Sequence, residues 1–223
     1  MLDFEAARRA MVDGQVRTND VTHPGLIAAM LEIPREAFVP KGQAALAYLD
    51  RDVVIANATA TEPARYLMKP MVLARLVQAA DPGPQDRVLV IGAGTGYSAA
   101  VMSRLAAEVV ALEQNESLFQ QACSALSSVG SRNVKVVHGV LTAGAPASGP
   151  YDVILIDGGV ETIPEGLCEQ LLSRGRLVTV VEFGPVGKAK LLQPLDGKFR
   201  DRELFDAHAP VLPGFNLAPA FVF

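Results

Sequence analysis

The residues with the clearest chemical spacing are three glycines, Gly92, Gly94 and Gly96, which follow the apolar run Val88–Ile91. A run of β-branched residues that ends in closely spaced glycines is typical of a buried parallel strand, a tight turn and the start of a helix. Glycines in such a turn let the backbone approach a bound molecule closely. The pattern therefore predicts a ligand-binding turn in an α/β protein.

The residues after this turn indicate which ligand it binds. The dinucleotide fingerprint G-x-G-x-x-G requires glycine where this chain has Tyr97, so hydride chemistry is disfavoured. Further along, Val109–Leu112 predicts a second strand, and Glu113 ends it where ribose hydroxyls are usually bound. A glycine turn and an acid at this separation favour group transfer from a nucleoside cofactor and suggest a site for S-adenosylmethionine (SAM).

Composition excludes several classes of protein. With 223 residues, the chain is long enough for one large domain, or for a domain with an N-terminal appendage. Half of its residues are apolar, but no run approaches the roughly 18 to 20 residues that span a bilayer. The N-terminal residues include acids and lack an apolar signal segment, so we expect a cytoplasmic protein without membrane contact.

The net charge and the cysteines disfavour further classes of protein. The net charge of −4, with scattered lysines and arginines, disfavours a nucleic-acid partner. Cys123 and Cys168 lie in predicted helices and form no metal-binding or disulfide framework, which favours buried free thiols. Nothing in the pattern indicates an oligomeric state.

The hydrophobic pattern predicts two parts. An amphipathic helix over residues 3–18 and a short helix over 24–31 come first, and a proline-rich connection follows. From residue 70 onward helices and strands alternate, which predicts a parallel sheet with helices on both faces. The predicted elements are helix 70–80, strand 87–91, helix 95–106, strand 108–113, helix 116–127, strand 134–138, strand 151–156, helix 164–173 and strand 176–182. Residues 190–223 are assigned to closing strands, at least one of them antiparallel.

Several segments together resemble the protein-L-isoaspartate O-methyltransferase family, in the order in which that family has them. They are Met11–Arg17, Met30–Pro40, the G-x-G-x-G turn, Leu112-Glu113 and Gly175–Val178. The resemblance implies a Rossmann-like class I methyltransferase with a seven-stranded, mostly parallel sheet and SAM as cofactor. It also implies methylation of a carboxylate in isoaspartyl residues of damaged proteins. We expect an N-terminal, substrate-side helical extension over residues 1–69 and a methyltransferase domain over 70–223.

Three positions depart from the family's pattern. Val90 stands where the family has an acid for the amino-acid end of SAM, and Val140 where it has an aspartate for the adenine amine. Losing one charged and one neutral hydrogen bond weakens SAM by about 2 to 4.5 kcal/mol. In the segment that the resemblance makes the substrate wall, Leu67, Met68 and Lys69, methionine replaces a serine. The expected cofactor-binding residues are Gly92, Ala93, Gly94, Thr95, Gly96, Glu113, Gln114, Val140 and Asp157.

Asp157 has three possible roles, and the function has two alternatives. Following a predicted strand and preceding Gly158-Gly159, the aspartate is placed for a turn or cap, for contact with cofactor or substrate, or for a metal. No metal site is expected from one carboxylate. The alternatives to the family's reaction are a degenerate homologue that acts as a binding or regulatory module, and a small-molecule methyltransferase that uses Asp157. Catalytic residues are left unassigned, because an ionised carboxylate attacking an activated methyl needs alignment more than a general base.

Overall fold

The structure is a computed structural model, and it describes residues 3–182, 186–195 and 198–217. Helix α1 (Phe4–Met11) begins at Asp3, whose carboxylate accepts a hydrogen bond from the Ala6 N–H. The chain then continues as a π turn (Val12–Val16) and a 3-10 turn (Arg17–Asn19). The prediction of one helix over 3–18 was therefore too simple, since the α-helix ends at Met11, three residues before Gly14, which has low helix propensity. Helix α2 (Pro24–Glu32) has nearly the predicted bounds.

Two short strands precede the main sheet, and the sequence pattern did not predict them. Strands β1 (Val53–Ala56) and β2 (Arg65–Leu67) pair in antiparallel orientation, outside the main sheet. Runs of four and three residues are too short to show a clear alternation of apolar and polar residues. This pair of strands is important because β2 begins with Arg65.

The remaining elements form the predicted α/β layers. They are α3 (Pro70–Ala80), β3 (Arg87–Ile91), α4 (Tyr97–Met102), β4 (Glu108–Glu113), α5 (Glu116–Ser128), β5 (Val134–His138), β6 (Tyr151–Val160), α6 (Glu165–Cys168), β7 (Leu171–Val181), β8 (Lys188–Leu195) and β9 (Lys198–Asp206). The seven strands lie in the order β5-β4-β3-β6-β7-β8-β9. All neighbours are parallel except β7–β8 and β8–β9, which confirms the expected sheet and its antiparallel end.

The strand order places a crevice beside β3. This strand has β4 on one side and β6 on the other, so the direction of winding reverses between β3 and β6. Ligands of open α/β sheets bind at such a reversal, outside the carboxyl ends of the strands. The ends of β3, β4 and β6 therefore define the place where a site is expected.

Several predicted boundaries were wrong. Helix 95–106 is an α-helix only over α4, and helix 164–173 is reduced to the four residues of α6. Residues 171–175 belong instead to β7, whose Leu171 pairs with Tyr151 at the start of β6. Strand β6 continues to Val160, beyond its predicted end at 156. Of the predicted closing segment 190–223, residues 196–197 and 218–223 lie outside the described residues.

The two faces of the sheet bury separate clusters of apolar side chains. Alternate residues of β3 point to opposite faces, so Val90 lies in one cluster and Leu89 in the other. The cluster that contains Val90 also contains Met11, Leu26 and Phe38 from the N-terminal part of the chain. The expected division at residues 69 and 70 therefore runs through one shared core and stays a prediction.

Both cysteines of the chain are free thiols in the described structure. Cys168 is buried, as expected, whereas Cys123 is only partly buried. Among the described residues, no helix has the length and apolar character needed to cross a membrane.

Candidate cofactor site

The three glycines form a turn with left-handed backbone at the end of β3. Their φ angles are 76° at Gly92, 56° at Gly94 and 99° at Gly96, a region that other residues adopt only with strain. The N–H groups of Gly92 and Ala93 both donate to the carbonyl of Leu112 in β4. The turn is therefore fixed to the neighbouring strand, and its backbone geometry is the one that the glycine spacing predicted.

The Glu113 carboxylate lies beside this turn and is fully buried. Oε1 accepts hydrogen bonds from Arg65 Nη1 at 2.7 Å and from the N–H groups of Gln114 and Asn115 at 2.9 Å. Oε2 accepts from Arg65 Nη2 at 2.9 Å and from the Gly94 N–H at 2.8 Å. The carboxylate is thus held by a bidentate guanidinium and three backbone N–H groups.

Arg65 is the partner that sequence reasoning missed. Its side chain is 5% exposed, and Nη2 also donates to the carbonyl of Gly92 at 3.2 Å. A carboxylate offers about four lone-pair positions, and the five hydrogen bonds at Glu113 use them all. No acceptor capacity is left at Glu113 for a pair of ribose hydroxyls while Arg65 is in place.

Apolar side chains fill the space above the glycines. A Cβ atom placed on Gly92 would lie 2.7 Å from Leu212 Cδ1, and one on Gly158 would lie 2.6 Å from Leu212 Cγ. On Gly94 it would lie 2.6 Å from Ile55 Cδ1. Ile55 comes from β1 and Leu212 from the segment after β9, so two separate parts of the chain cover the turn.

The cavity that remains is small. It has about 10 Å³ and is lined by Arg65, Met68, Asp157, Gly158 and Leu212, among others. Sites for small molecules commonly have about 300 to 1,000 Å³, and about 10 to 15 Å³ holds one water. The glycine turn and Glu113 have the chemistry of a nucleoside site, but the cavity beside Arg65 and Asp157 is too small for SAM in this conformation.

Asp157 borders the same cavity from the second half of β6. Because β6 continues to Val160, Asp157 does not lie in the turn that the following glycines favoured. Its side chain is buried, and Oδ1 finds no hydrogen-bond partner within the described part of the chain. Burial raises the pKa of this carboxyl to about 6, although the charges of Arg35 and Arg65 act to lower it. Across the described ranges, no group of three potential ligands could hold a metal ion.

The segment expected to form the substrate wall is mostly buried. Leu67 and Met68 are each 3% exposed and belong to the main core, and the Met68 carbonyl accepts a hydrogen bond from Arg35 Nη2 at 2.6 Å. Lys69 is partly exposed, and its backbone N–H donates to Asp52. Met68 therefore packs in the core and also borders the cavity, and the role of the segment as a substrate wall stays a prediction.

The other expected cofactor residues do not line this small cavity, and Thr95 instead borders a separate, open cleft of about 920 Å³. Ala93 is buried, and Thr95 is tied to the N-terminal part by a hydrogen bond from its hydroxyl to the Phe38 carbonyl at 2.5 Å. The Gln114 carbonyl lies 2.8 Å from His138 Nε2. Val140 is 62% exposed after β5. The structure thus gathers the glycines, Glu113 and Asp157 around Arg65 and leaves Val140 at the surface.

Comparison with known proteins gives one consistent family. Residues 6–203 match the family model of protein-L-isoaspartate(D-aspartate) O-methyltransferase. A protein-L-isoaspartate O-methyltransferase from Methanoregula boonei is 38% identical over 197 residues, which are 88% of each chain. Another from Rhodopseudomonas palustris is 40% identical over 186 residues, 83% of this chain and 80% of that one.

Solved structures show the same fold. A protein-L-isoaspartate O-methyltransferase aligns with a TM-score of 0.79 and 27% identity, and covers 95% of this chain and 66% of its own. A Plasmodium falciparum protein solved in complex with S-adenosyl-L-homocysteine aligns with a TM-score of 0.78 and 17% identity, over 95% of this chain and 99% of its own.

Proposed function

The chain belongs to the protein-L-isoaspartate O-methyltransferase family, and from this we propose that it methylates the carboxylate of isoaspartyl residues in damaged proteins with SAM as methyl donor. The observation that carries the proposal is the glycine turn beside Glu113, at the carboxyl ends of β3 and β4. This is the place where an open α/β sheet binds a nucleoside. Both groups lie within the span that matches the family model.

The methyl acceptor defines what the protein has to supply. A carboxylate is ionised at neutral pH, so the chain needs to bind, orient and desolvate it rather than remove a proton. We assign Leu67, Met68 and Lys69 to the wall that receives the peptide. The ammonium group of Lys69 would attract an anionic substrate at the start of α3. Gly92 to Gly96, Glu113, Gln114, Val140 and Asp157 are the proposed cofactor contacts.

Partners and location belong to the same proposal. A net charge of −4 and a pI near 5.4 are suited to a protein or peptide substrate rather than to a nucleic acid or an anionic membrane. We propose a cytoplasmic enzyme in which residues 1–69 form a substrate-side extension and residues 70–223 form the methyltransferase domain.

A second function is favoured by one specific observation. Because Arg65 uses the carboxylate that a ribose would need, a homologue that keeps the fold as a binding or regulatory module also suits this geometry. Cofactor binding distinguishes the two functions, since a module of this kind would not bind S-adenosylhomocysteine.

The activity is tested with a short peptide that contains one isoaspartyl residue, in the presence of saturating labelled SAM. The control is the peptide of the same sequence with an ordinary aspartyl residue. We expect label transfer to the isoaspartyl peptide alone, at a low rate because Met68 replaces a hydroxyl in the wall. Equal labelling of both peptides would contradict the specificity, and no labelling of either, in a protein that binds S-adenosylhomocysteine, would point to another acceptor.

A further inference from the structure

The guanidinium of Arg65 stands where the two hydroxyl groups of a ribose would bind. It presents two parallel N–H groups to the two oxygens of Glu113, at 2.7 and 2.9 Å. A ribose with vicinal hydroxyls would present two O–H donors to the same pair of oxygens. The guanidinium of Arg65 and a ribose would therefore compete for the same carboxylate.

We propose that Arg65 is an internal occupant of the nucleoside site, and that it sets the affinity for the cofactor because it must leave Glu113 before a nucleoside can bind. The inference rests on the proposed function, since it concerns the same site. Arg65 acts here as an affinity-determining residue and takes no part in the chemical step.

The apolar cover supports this inference independently. Leu212 fills the space above Gly92 and Gly158, and Ile55 fills the space above Gly94. Ile55 and Arg65 lie on the paired strands β1 and β2, which are separate from the seven-stranded sheet. One movement of this pair would therefore withdraw both the cation and part of the apolar cover, while the sheet and the glycine turn stay in place.

The energetic balance allows such an opening. A buried ion pair regains little net stability, because removing both charges from water costs nearly as much as their attraction returns. A nucleoside that binds only the open state has an apparent affinity reduced by the fraction of molecules that are open. If about one molecule in ten or fewer is open, binding is at least tenfold weaker than the open site allows.

The test measures the affinity of the full chain for S-adenosylhomocysteine by isothermal titration calorimetry, in the wild type and in Arg65→Ala. We expect Arg65→Ala to bind at least tenfold more tightly. The matched control is Arg176→Ala, which removes an ion pair with Asp86 of 2.8 Å at the opposite end of the sheet. It should bind with the affinity of the wild type.

Each outcome decides the inference. Tighter binding by Arg65→Ala alone supports it. Equal affinities in the wild type and Arg65→Ala overturn it but leave the proposed function intact, whereas no binding by either folded protein at millimolar ligand overturns both. An equal gain in Arg176→Ala would indicate general loosening and would also overturn it. If Arg65→Ala fails to fold, Arg65→Met, which keeps a long side chain but removes the charge and the N–H donors that bind Glu113, is judged by the same tenfold criterion.

Discussion

Replacing Glu113 by glutamine tests whether this carboxylate stabilises the folded protein when no ligand is bound. The substitution keeps the shape of the side chain and removes its charge. Arg65, 5% exposed, then loses the carboxylate that pairs with it and keeps a buried charge. In addition, the new amide nitrogen faces N–H donors, because both oxygens of Glu113 are surrounded by N–H groups from Arg65 and from backbone.

The expected loss of stability is large. Breaking a buried ion pair by removing one partner costs about 3 to 5 kcal/mol. A domain of ordinary stability has about 5 to 15 kcal/mol in total, so Glu113→Gln should remove a substantial share of it. If Glu113 were instead a solvated carboxylate that only a ribose contacts, the substitution would leave the free energy of unfolding of the ligand-free protein almost unchanged.

The measurement is the free energy of unfolding in urea without ligand, with Glu108→Gln as the matched control. Glu108 lies at the other end of β4 and pairs with Arg87 at 2.9 Å, where both side chains are more than 40% exposed. An exposed pair of this kind is worth at most about 1 kcal/mol. Equal losses in the two variants would refute the assignment of Glu113 to a buried, stabilising pair.

A double-mutant cycle that combines Glu113→Gln with Arg65→Ala measures how much of the loss comes from the ion pair. When both charges are removed, no uncompensated charge remains, so the double variant should lose less stability than the sum of the two single variants. Groups in direct contact commonly show a coupling of about 0.5 to 3 kcal/mol. Additive losses would mean that the ion pair is not what stabilises this region.

Three further substitutions test other parts of the site. Burial raises the pKa of Asp157 to about 6, so the folded state holds that proton more tightly than the unfolded state, and stability from this group is lost as pH rises from about 4 to about 6. Asp157→Asn does not titrate, so its free energy of unfolding relative to that of the wild type should rise by about 2 to 3 kcal/mol from pH 4 to pH 7, measured by urea unfolding at both pH values. Gly94→Ala should lower the free energy of unfolding in urea by about 1 to 3 kcal/mol, because φ is 56° and the added Cβ would lie 2.6 Å from Ile55. Gly14→Ala, with open space around it, should leave this free energy unchanged. Met68→Ser should raise turnover of an isoaspartyl peptide at saturating SAM while lowering the melting temperature, since Met68 is buried in the core; unchanged turnover would leave Met68 as packing alone.

The strands of the sheet were predictable because their signal is local. Strands β3, β4 and β5 have the bounds that the sequence predicted, since each is a short apolar, β-branched run that begins and ends within a few residues. The predicted helix over 164–173 was wrong because its second half pairs with the start of β6, a contact that no local pattern indicates. Pairs of very short strands, such as β1 and β2, depend in the same way on the rest of the fold.

The glycine turn and Glu113 were predictable from the sequence, but Arg65 was not, because its contact with Glu113 depends on the rest of the fold. The turn at Gly92 and the acid at Glu113 are neighbours because Ile91 pairs with Leu112 in parallel register, and that separation can be read from a strand, a helix and a second strand. Arg65 lies 48 residues before Glu113 and joins it only through the packing of a separate pair of strands. A carboxylate in a buried turn needs partners, but its own position does not determine whether a ribose or a guanidinium supplies them. That choice depends on whether Arg65 can leave, which is a property of the folded chain and is measured by the change in ligand affinity when the arginine is removed.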